Sequence, residues 1–535
     1  MATLTGNHHS DMGTQGAAGL TTWGRLKRGL TFTLIALLAA CSLPAPKERR
    51  ASHALLSGDS EQTILGKGLL PQLRAHPGLS GVASLSNSLD AFAARMSLIS
   101  AAQRTLDVQY YIWRRDITGT MLLEELRVAA DRGVRVRLLL DDNGTAGLDT
   151  ELAALDTHPN IEIRLFNPFV VRRPKAIGFL TDFRRVNRRM HNKSFTADNQ
   201  ATIIGGRNVG DEYFGAGGPV LFADLDVLAM GTVVDDVSAD FDRYWASESS
   251  YPVSLILPEV DAAALQQFGA AARSMAGSEA AAGYARAIRD SGFMAEFLEG
   301  ELAVEWAPAR MVSDDPAKGL GKAASTGLLI YQLNEILGRP AYTVELISPY
   351  FVPTAAGVEV FSKMVRAGVT LRILTNSLDA TDVAAVHAGY AKRRKALLAA
   401  GVRLYELRRT AGAGERHPDA GPFGSSGSSL HAKTFAVDDA RVFVGSFNFD
   451  PRSALLNTEL GFVIESPDMA RRIDEFFNQT VAGIAYEVRL SEAGKLYWIE
   501  RRDGQEIRHD AEPETGILKR GLVRFLAILP IEGLL

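Results

Sequence analysis

The sequence carries one pattern of reactive side chains twice. The first copy consists of His191, Lys193, Asp198, Gly205, Gly206 and Asn208. The second copy consists of His431, Lys433, Asp438, Gly445, Ser446 and Asn448 at the same relative offsets. An imidazole can attack an electrophile or transfer a proton, and ammonium, amide and backbone N–H groups can hold anionic oxygens. These residue types together suit chemistry at a phosphate group.

The repetition makes coincidence negligible. A single His-x-Lys-x4-Asp would occur by chance in roughly a few per cent of chains of this length. Two copies with matching Gly, Gly/Ser and Asn offsets leave one alternative, in which they are structural residues retained after a duplication. Matched His–Lys pairs would serve no packing purpose, because buried charged groups are costly unless they are paired. We therefore predict that both copies contribute to chemistry.

The elements around each copy follow the same order. The first half has predicted strands at 104–113, 134–142 and 161–168 and a predicted helix at 119–133. The second half has predicted strands at 341–353, 369–376 and 402–409 and a predicted helix at 357–368. Strands that alternate with helices favour parallel pairing and a layered α/β fold. The predicted fold class is α/β, with two similar sandwich halves.

Each copy is predicted to lie on a β-hairpin. Residues two apart on a strand point to the same face, so each histidine would project with its lysine. The returning strands end in small residues, which let a ligand approach the backbone closely. Gly206 and Ser446 are therefore candidate substrate-binding positions.

The double motif resembles the phospholipase D superfamily from about residue 80 onward. The flanking residues that look like bacterial cardiolipin synthases of the C type lie at 192–214, 348–353, 445–461 and 528–535. The resemblance implies two phospholipase D-type halves related by a pseudo-two-fold axis, with the active site at their interface. It also implies a metal-independent phosphatidyltransferase that makes cardiolipin from phosphatidylglycerol and a second phospholipid through a phosphohistidine.

The resemblance also implies a role for each motif residue. It assigns nucleophilic attack to His191 and acid/base transfer to His431, and the residues themselves leave the order of the two open. Lys193, Lys433, Asn208 and Asn448 would hold the phosphoryl oxygens. Asp198 and Asp438 would mainly support the structure. The sequence offers no cluster with credible metal-ligand spacing, so no metal and no cofactor are expected.

Two other functions keep the same motif residues. A phospholipase D would hydrolyse phospholipids to phosphatidic acid, and it differs from a transferase only in the acceptor that reaches the phosphohistidine. A secreted phosphodiesterase or nuclease of the superfamily is disfavoured, because small nucleases of this type usually carry one motif per chain and dimerise.

Each reactive histidine needs a carboxylate that fixes its tautomer. Glu459, in the segment NTELGFV, follows the second copy and is predicted to contact His431. Asp224, in FADLDVL, aligns with Glu459 and is predicted to contact His191, with Asp226 as its competitor.

Cys41 is the single cysteine and follows a basic and then an apolar stretch. The apolar run 29–40 is too short to span a bilayer and suits a secretory signal. The segment resembles a bacterial lipoprotein signal, which implies acylation at Cys41 and a membrane-anchored protein of the cell envelope with its catalytic part outside the cytosol. A structural cysteine is the alternative, and the choice between inner and outer membrane stays open.

We predict five segments. They are a signal peptide at 1–40, a tether at 41–80, an N-terminal half at 81–254, a mainly helical connection at 255–325 and a C-terminal half at 326–535. The last part of the C-terminal half, 516–535, is more apolar than an exposed tail should be, and it is expected to dock on the fold or on the membrane. The Gly/Ser-rich loop 411–429 is expected to be flexible beside the site.

Composition bears on the partners. The net charge of −4 and the pI near 6.2 favour partners other than nucleic acid. The expected partners are membrane phospholipids with anionic headgroups, and the oligomeric state stays open. The basic stretches 172–193 and 390–409 predict either solvated faces or headgroup contacts. His387, on the second stretch, is expected to be structural.

Overall fold

The computed structural model describes residues 43–44, 49–215, 224–409, 430–502 and 504–535. The predicted signal 1–40, Cys41 and the loop 411–429 lie outside the described residues. Two mixed β-sheets, each flanked by helices, make up the described part of the chain.

The first sheet has nine strands in the order β8-β4-β3-β2-β5-β6-β7-β1-β9. Its strands are β1 (Ser80–Leu85), β2 (Thr105–Ile112), β3 (Arg135–Gly144), β4 (Ile161–Phe166), β5 (Ser194–Ala197), β6 (Ala201–Gly205), β7 (Asp226–Gly231), β8 (Ser250–Pro252) and β9 (Glu305–Ala307). Strands β2, β3 and β4 are parallel, and the remaining neighbours pair antiparallel. The parallel strands are largely buried on both faces, with apolar side chains on one face and buried polar side chains such as Asp107, Arg137 and Arg164 on the other.

The second sheet has ten strands in the order β10-β16-β15-β14-β11-β12-β13-β17-β18-β19. Its strands are β10 (Ala309–Ser313), β11 (Thr343–Ile347), β12 (Thr370–Asn376), β13 (Arg403–Leu407), β14 (Thr434–Val437), β15 (Arg441–Gly445), β16 (Leu460–Ile464), β17 (Ala485–Leu490), β18 (Leu496–Arg502) and β19 (Gln505–His509). Strands β11, β12 and β13 are parallel here. The two sheets share one strand order, from β8 to β1 in the first and from β17 to β10 in the second.

This shared order confirms the predicted α/β class and its two similar halves. The expectation of parallel pairing holds only for three neighbouring strands of each sheet. The strands that carry the motifs pair antiparallel, because each motif folds as a hairpin and a three-residue turn can join only antiparallel strands.

The helices lie before, between and after the strands of the two sheets. The first-half helices are α1 (Ile64–Ala75), α2 (Ser88–Ala101), α3 (Ile117–Asp131), α4 (Asp149–Asp156), α5 (Gly178–Thr181), α6 (Phe183–Val186), α7 (Asp211–Phe214) and α8 (Thr232–Trp245). The connecting helices are α9 (Ala264–Ala276), α10 (Ala282–Asp290) and α11 (Phe293–Glu299). The second-half helices are α12 (Leu329–Leu337), α13 (Thr354–Arg366), α14 (Ala384–Ala391), α15 (Arg394–Ala399), α16 (Pro451–Leu455), α17 (Pro467–Glu475), α18 (Val481–Ile484) and α19 (Ile517–Ile528). Within the described residues, no helix combines the length and apolar character needed to cross a membrane.

One hydrophobic cluster belongs to both halves. It includes Ile204 and Val227 of the first sheet and Val444 and Phe462 of the second. The backbones of the two halves are also hydrogen-bonded to each other. The His191 N–H donates to the Thr458 carbonyl at 2.8 Å. The halves therefore meet where the motif hairpins lie.

The described part of the predicted tether is folded, so this prediction was wrong for residues 49–80. Helix α1 buries Leu65 and Leu69 completely. Its glycines and Pro71 look like linker residues in the sequence. A Cβ on Gly68 would lie 2.5 Å from Leu298 on α11, so this glycine permits close helix packing.

The connection between the halves contains strands as well as helices. Strand β9 pairs with β1 of the first sheet, and β10 pairs with β16 of the second. The chain therefore passes from the first sheet to the second at residue 308, earlier than the predicted start of the C-terminal half at 326. Such short edge strands give little alternation for a sequence pattern to detect.

Candidate active site

Each motif forms a tight hairpin that starts one residue after its lysine. Strands β5 and β14 begin at Ser194 and Thr434, so each histidine and lysine lies in the segment leading into the strand rather than on it. The turns place Asp198 and Asn199 at φ 51° each and Asp438 and Asp439 at φ 54° and 49°. Asp and Asn tolerate this left-handed conformation, which these tight turns require at two of their three residues.

The motif aspartates fasten these turns to the sheet. Asp198 accepts hydrogen bonds from the backbone N–H groups of Gln103, Arg104 and Thr105 at 2.9, 2.7 and 2.9 Å. Asp438 accepts the equivalent bonds from Ala341, Tyr342 and Thr343. The length of a strand separates each aspartate from its histidine. The structure therefore does not bring Asp198 or Asp438 to the imidazoles.

The two histidines each contact a carboxylate of the opposite half. His191 Nδ1 lies 2.8 Å from Glu459 Oε2, and His431 Nδ1 lies 2.6 Å from Asp224 Oδ2. All four side chains are buried. The expected pairing within each half, Asp224 with His191 and Glu459 with His431, was wrong.

The exchange follows from the backbone contact between the halves. The Thr458 carbonyl accepts from the His191 N–H, and the next residue, Glu459, therefore reaches the His191 ring. The competing candidate Asp226 is occupied elsewhere, because it accepts hydrogen bonds from Arg95 at 2.8 Å and from the Arg207 backbone at 3.1 Å. A sequence alignment of the halves identifies the carboxylates but contains no information on which half each one faces.

Gly206 and Ser446 occupy equivalent positions and behave differently. The Ser446 hydroxyl donates to Glu459, which also accepts from Ser453 at 2.8 Å. On the other side, a Cβ on Gly206 would lie 2.0 Å from Asp224 Oδ1. Glu459 is therefore held by hydroxyl donors, while Asp224 packs directly against a glycine.

Both motif lysines are buried beside their histidines. Lys193 Nζ donates to the His191 carbonyl at 2.6 Å, and Lys433 Nζ lies 2.9 Å from His431 Nδ1. Burial lowers the pKa of Lys193 to about 7 and that of Lys433 to about 8; Glu459 partly offsets the shift at Lys193, and Asp224 does so at Lys433. An anion placed between them would relieve this penalty, because it would favour both charged ammonium groups.

The two imidazole–carboxylate pairs differ electrostatically. Burial, followed by the charges of Lys193 and Lys433, lowers the pKa of His191 well below its usual value. Burial raises the pKa of Glu459 to about 7, despite the nearby Lys193. Burial alone would raise the pKa of Asp224, but His431 and Lys433 lower it to about 2. His431 therefore faces a fixed negative charge, and His191 faces a carboxyl group that titrates near neutrality.

Asn208 and Asn448 occupy equivalent positions in the two motif copies but make different hydrogen bonds. The Asn208 side chain accepts from the Ile112 N–H at 3.1 Å and donates to the Tyr213 hydroxyl at 3.0 Å. The Asn448 N–H donates to the Ser453 hydroxyl at 3.3 Å. The expected contact of these asparagines with phosphoryl oxygens stays a prediction, and Asn208 already positions Tyr213.

Sequence reasoning missed the aromatic residues around the histidines. Tyr111 packs edge-on against His191 with ring centroids 5.0 Å apart, and Tyr213 does the same to His431 at 5.3 Å. The Tyr350 hydroxyl donates to Asp382 at 2.7 Å, and the charge of Asp382 acts on Lys433. Tyr213 and Tyr350 lie in segments that carried the family resemblance, which was the available signal.

The sequence matches the family described as "Cardiolipin synthase, PLD-like domain" over residues 96–245 and 333–481. It is also 52% identical over 473 residues to cardiolipin synthase C of Escherichia coli strain K12, covering 88% of this chain and 99% of that protein. The chain belongs to this family. The match places one phospholipase D-like domain of the cardiolipin synthase family around each motif copy.

A more distant relative and a solved structure are also similar to this chain. Cardiolipin synthase A of Pseudomonas putida strain W619 is 26% identical over 452 residues, covering 83% of this chain and 78% of that protein. A solved phosphatidylserine synthase of Haemophilus influenzae Rd KW20 superposes with a TM-score of 0.52 at 14% identity, covering 77% of this chain and 91% of that one. That structure shares the fold.

The remaining candidates lie outside the histidine site. Buried His387 packs edge-on against Tyr390, with Nε2 3.6 Å from Glu512. Among the described residues, Glu345, Asp439 and Asp474 form one acidic group, and the Arg372 guanidinium already donates to two of its members.

The basic stretches are largely engaged in internal ion pairs. In 172–193, Arg172 and Lys175 pair with Asp142, and Arg189 pairs with Asp141. In 390–409, Arg393 pairs with Glu532 and buried Arg394 pairs with Glu406. These cations therefore mainly stabilise the fold. The predicted contact with lipid headgroups is left to those basic residues of the two stretches that have no carboxylate partner.

Proposed function

We propose that the protein is a phospholipase D-type phosphatidyltransferase that forms cardiolipin from phosphatidylglycerol and a second phospholipid. The observation that carries the proposal is the pair of buried imidazole–carboxylate contacts exchanged between the halves, with both motif lysines beside them. This arrangement offers a nucleophile, a proton donor and positive charge at one place, and a phosphodiester exchange requires all three.

His191 is the nucleophile in this proposal. Its low pKa keeps the imidazole neutral, so a nitrogen lone pair is available at neutral pH. Because Glu459 engages Nδ1, the attack on phosphorus falls to Nε2. The bond between phosphorus and the headgroup oxygen breaks, and the phosphatidyl group remains on His191 as a phosphohistidine.

His431 is the acid and then the base. Burial and the charge of Lys433 lower the pKa of His431, and the ionised Asp224 offsets part of this shift by stabilising the imidazolium form. In that form His431 donates a proton to the departing alkoxide. A glycerol hydroxyl of phosphatidylglycerol then returns a proton to His431 and attacks the phosphorus atom. The P–N bond breaks, His191 is released neutral, and cardiolipin forms.

The environment of the histidines favours transfer over hydrolysis. Both imidazoles are more than nine-tenths buried, and Tyr111 and Tyr213 pack against their rings. A site that excludes water gives a lipid hydroxyl the advantage at the phosphohistidine. Hydrolysis to phosphatidic acid is the competing outcome.

Cys41 supplies the membrane anchor in this proposal. Acylation there, after removal of 1–40, would leave the catalytic part outside the cytosol and tethered to an envelope membrane. More than one acyl chain gives stable anchoring. Incorporation of labelled fatty acid into the wild-type chain, and its loss in Cys41→Ser, would support this step.

The decisive experiment follows labelled phosphatidylglycerol with the purified protein, alone and with phosphatidylethanolamine. Labelled cardiolipin supports the proposal. Phosphatidic acid as the sole product would establish a hydrolase instead. Cleaved oligonucleotide with untouched lipid would overturn both lipid activities.

A further inference from the structure

Helix α19 carries an apolar stripe that points away from the protein. Its inner face packs against α14 through Val523, Leu526 and Ala527. The stripe consists of Ile517, Leu518, Leu522, Phe525 and Ile528, all exposed, with Leu518 at 89% and Phe525 at 60% of full exposure. From Leu518 onward they follow one another at spacings of four, three and three residues, which places them on one side of the helix, and Ile517 adjoins Leu518.

A basic groove of about 450 Å³ lies beside the stripe, between α19, α15 and the loop before β18. Its exposed cations include Lys395, Lys495 and Arg524, none of which has a carboxylate within ion-pair distance among the described residues. A volume in this range suits a small-molecule or headgroup ligand. The groove therefore offers unpaired positive charge next to exposed apolar surface.

A series of contacts links the stripe and the groove to the candidate active site. Helix α14, on which α19 packs, follows Asp382, which accepts the Tyr350 hydroxyl at the edge of the site. The C-terminal Leu535 carbonyl accepts from the Arg452 N–H at 2.9 Å, and Arg452 also donates to the Asn187 carbonyl at 2.7 Å. Asn187 precedes His191 by four residues, so the segment after α19 is joined to both halves.

We propose that this surface docks the protein on an anionic phospholipid bilayer. The apolar stripe of α19 enters the boundary between headgroups and acyl chains, and the groove of Lys395, Lys495 and Arg524 holds anionic headgroups. An amphipathic helix with an apolar face flanked by cations binds such an interface through buried area and charge attraction together. The surface acts independently of Cys41 acylation.

The test uses the full-length chain with Cys41→Ser, which removes the acylation site. Sedimentation with vesicles of phosphatidylcholine containing phosphatidylglycerol is compared with vesicles of phosphatidylcholine alone. We expect stronger binding to the anionic vesicles, and a loss of about tenfold or more in the Leu518→Asp/Phe525→Asp variant, since both charges would enter the apolar boundary. Lys395→Gln/Arg524→Gln should remove the preference for anionic vesicles.

A matched control uses Leu56→Asp/Tyr342→Asp. Both residues are 73% exposed and lie far from α19 in the chain, so this variant should bind as the Cys41→Ser protein does. Absence of vesicle binding by the Cys41→Ser protein would overturn the proposal. So would a stripe variant that binds vesicles normally but dissociates a dimer in size-exclusion chromatography, because the stripe would then face a second copy. Binding is measured without turnover, so failure here leaves the proposed transferase activity untouched.

Discussion

His191 of the first half receives its carboxylate, Glu459, from the second half at 2.8 Å, and His431 receives Asp224 from the first half at 2.6 Å. The arrangement is reciprocal, so each half supplies an imidazole and the partner for the other imidazole. Each motif histidine therefore depends on the opposite half for its carboxylate.

Loss of the Glu459 carboxylate should act on His191. Glu459→Gln keeps the size of the side chain, but an amide can either donate to or accept from Nδ1 of His191. The variant therefore no longer fixes the tautomer of the His191 ring, and kcat should fall about a hundredfold or more. The phosphatidyl transfer rate, measured with labelled phosphatidylglycerol, checks this. Glu465→Gln, at an exposed position six residues along the chain, is the control and should be unchanged.

The two histidines should differ in their dependence on the leaving group. His191→Ala and His431→Ala should each lower kcat on phosphatidylglycerol about a thousandfold or more, because one removes the nucleophile and the other removes the acid. A phosphatidyl ester of p-nitrophenol needs no proton on its leaving group. His431→Ala should therefore release p-nitrophenol in a burst, and His191→Ala should not. The opposite result would exchange the two roles.

Gly206 should not tolerate the serine that stands at the equivalent position 446. A Cβ would lie 2.0 Å from Asp224 Oδ1, so Gly206→Ser must displace the carboxylate from His431. We expect kcat to fall about a hundredfold, with a smaller loss on the p-nitrophenyl ester because that substrate needs no acid. Gly283→Ser, at a position with open space around the Cβ, is the control. Full activity in Gly206→Ser would contradict the role of Asp224.

The pH dependence should follow the buried lysines. Their pKa values are lowered to about 7 and about 8, so the ammonium groups lose their charge as the pH rises through these values. Binding of the anionic phosphodiester should weaken with that charge, and kcat/KM should fall about tenfold per unit above pH 8. The pKa of His191 lies well below its usual value, so the acid limb should lie below pH 6.5. A kcat/KM profile that still rises from pH 8 to 9 would exclude this assignment.

The motif aspartates should affect folding rather than chemistry. Asp198→Ala leaves three backbone N–H groups without their acceptor, so the free energy of unfolding should drop by about 3 kcal/mol. Urea unfolding measures this, and the kcat of the folded fraction should change by less than about threefold. Asp510→Ala removes an exposed carboxylate and should leave stability nearly unchanged. A large loss of kcat with normal stability would assign Asp198 to catalysis.

Much of the fold could be predicted from local patterns. The strands and helices that flank each motif are long and regular, and their repetition identified the two halves. The predicted tether missed helix α1, because Gly68 and Pro71 look like linker residues. The connection is mainly helical, as expected, but its two short edge strands give no periodic signal. The carboxylates Asp224 and Glu459 could be found by aligning the halves, but their exchange depends on the contact of His191 with Thr458, which no local pattern encodes.

The reciprocal pairing also orders events during biosynthesis. When the ribosome has completed the first half, His191 exists without Glu459, and Asp224 exists without the imidazole it will hold. The site therefore acquires its proton-transfer geometry only after β16 has been made and packed against the first sheet. A chain that stops between the halves carries a motif histidine, yet it has no assembled centre with which to cleave a phospholipid.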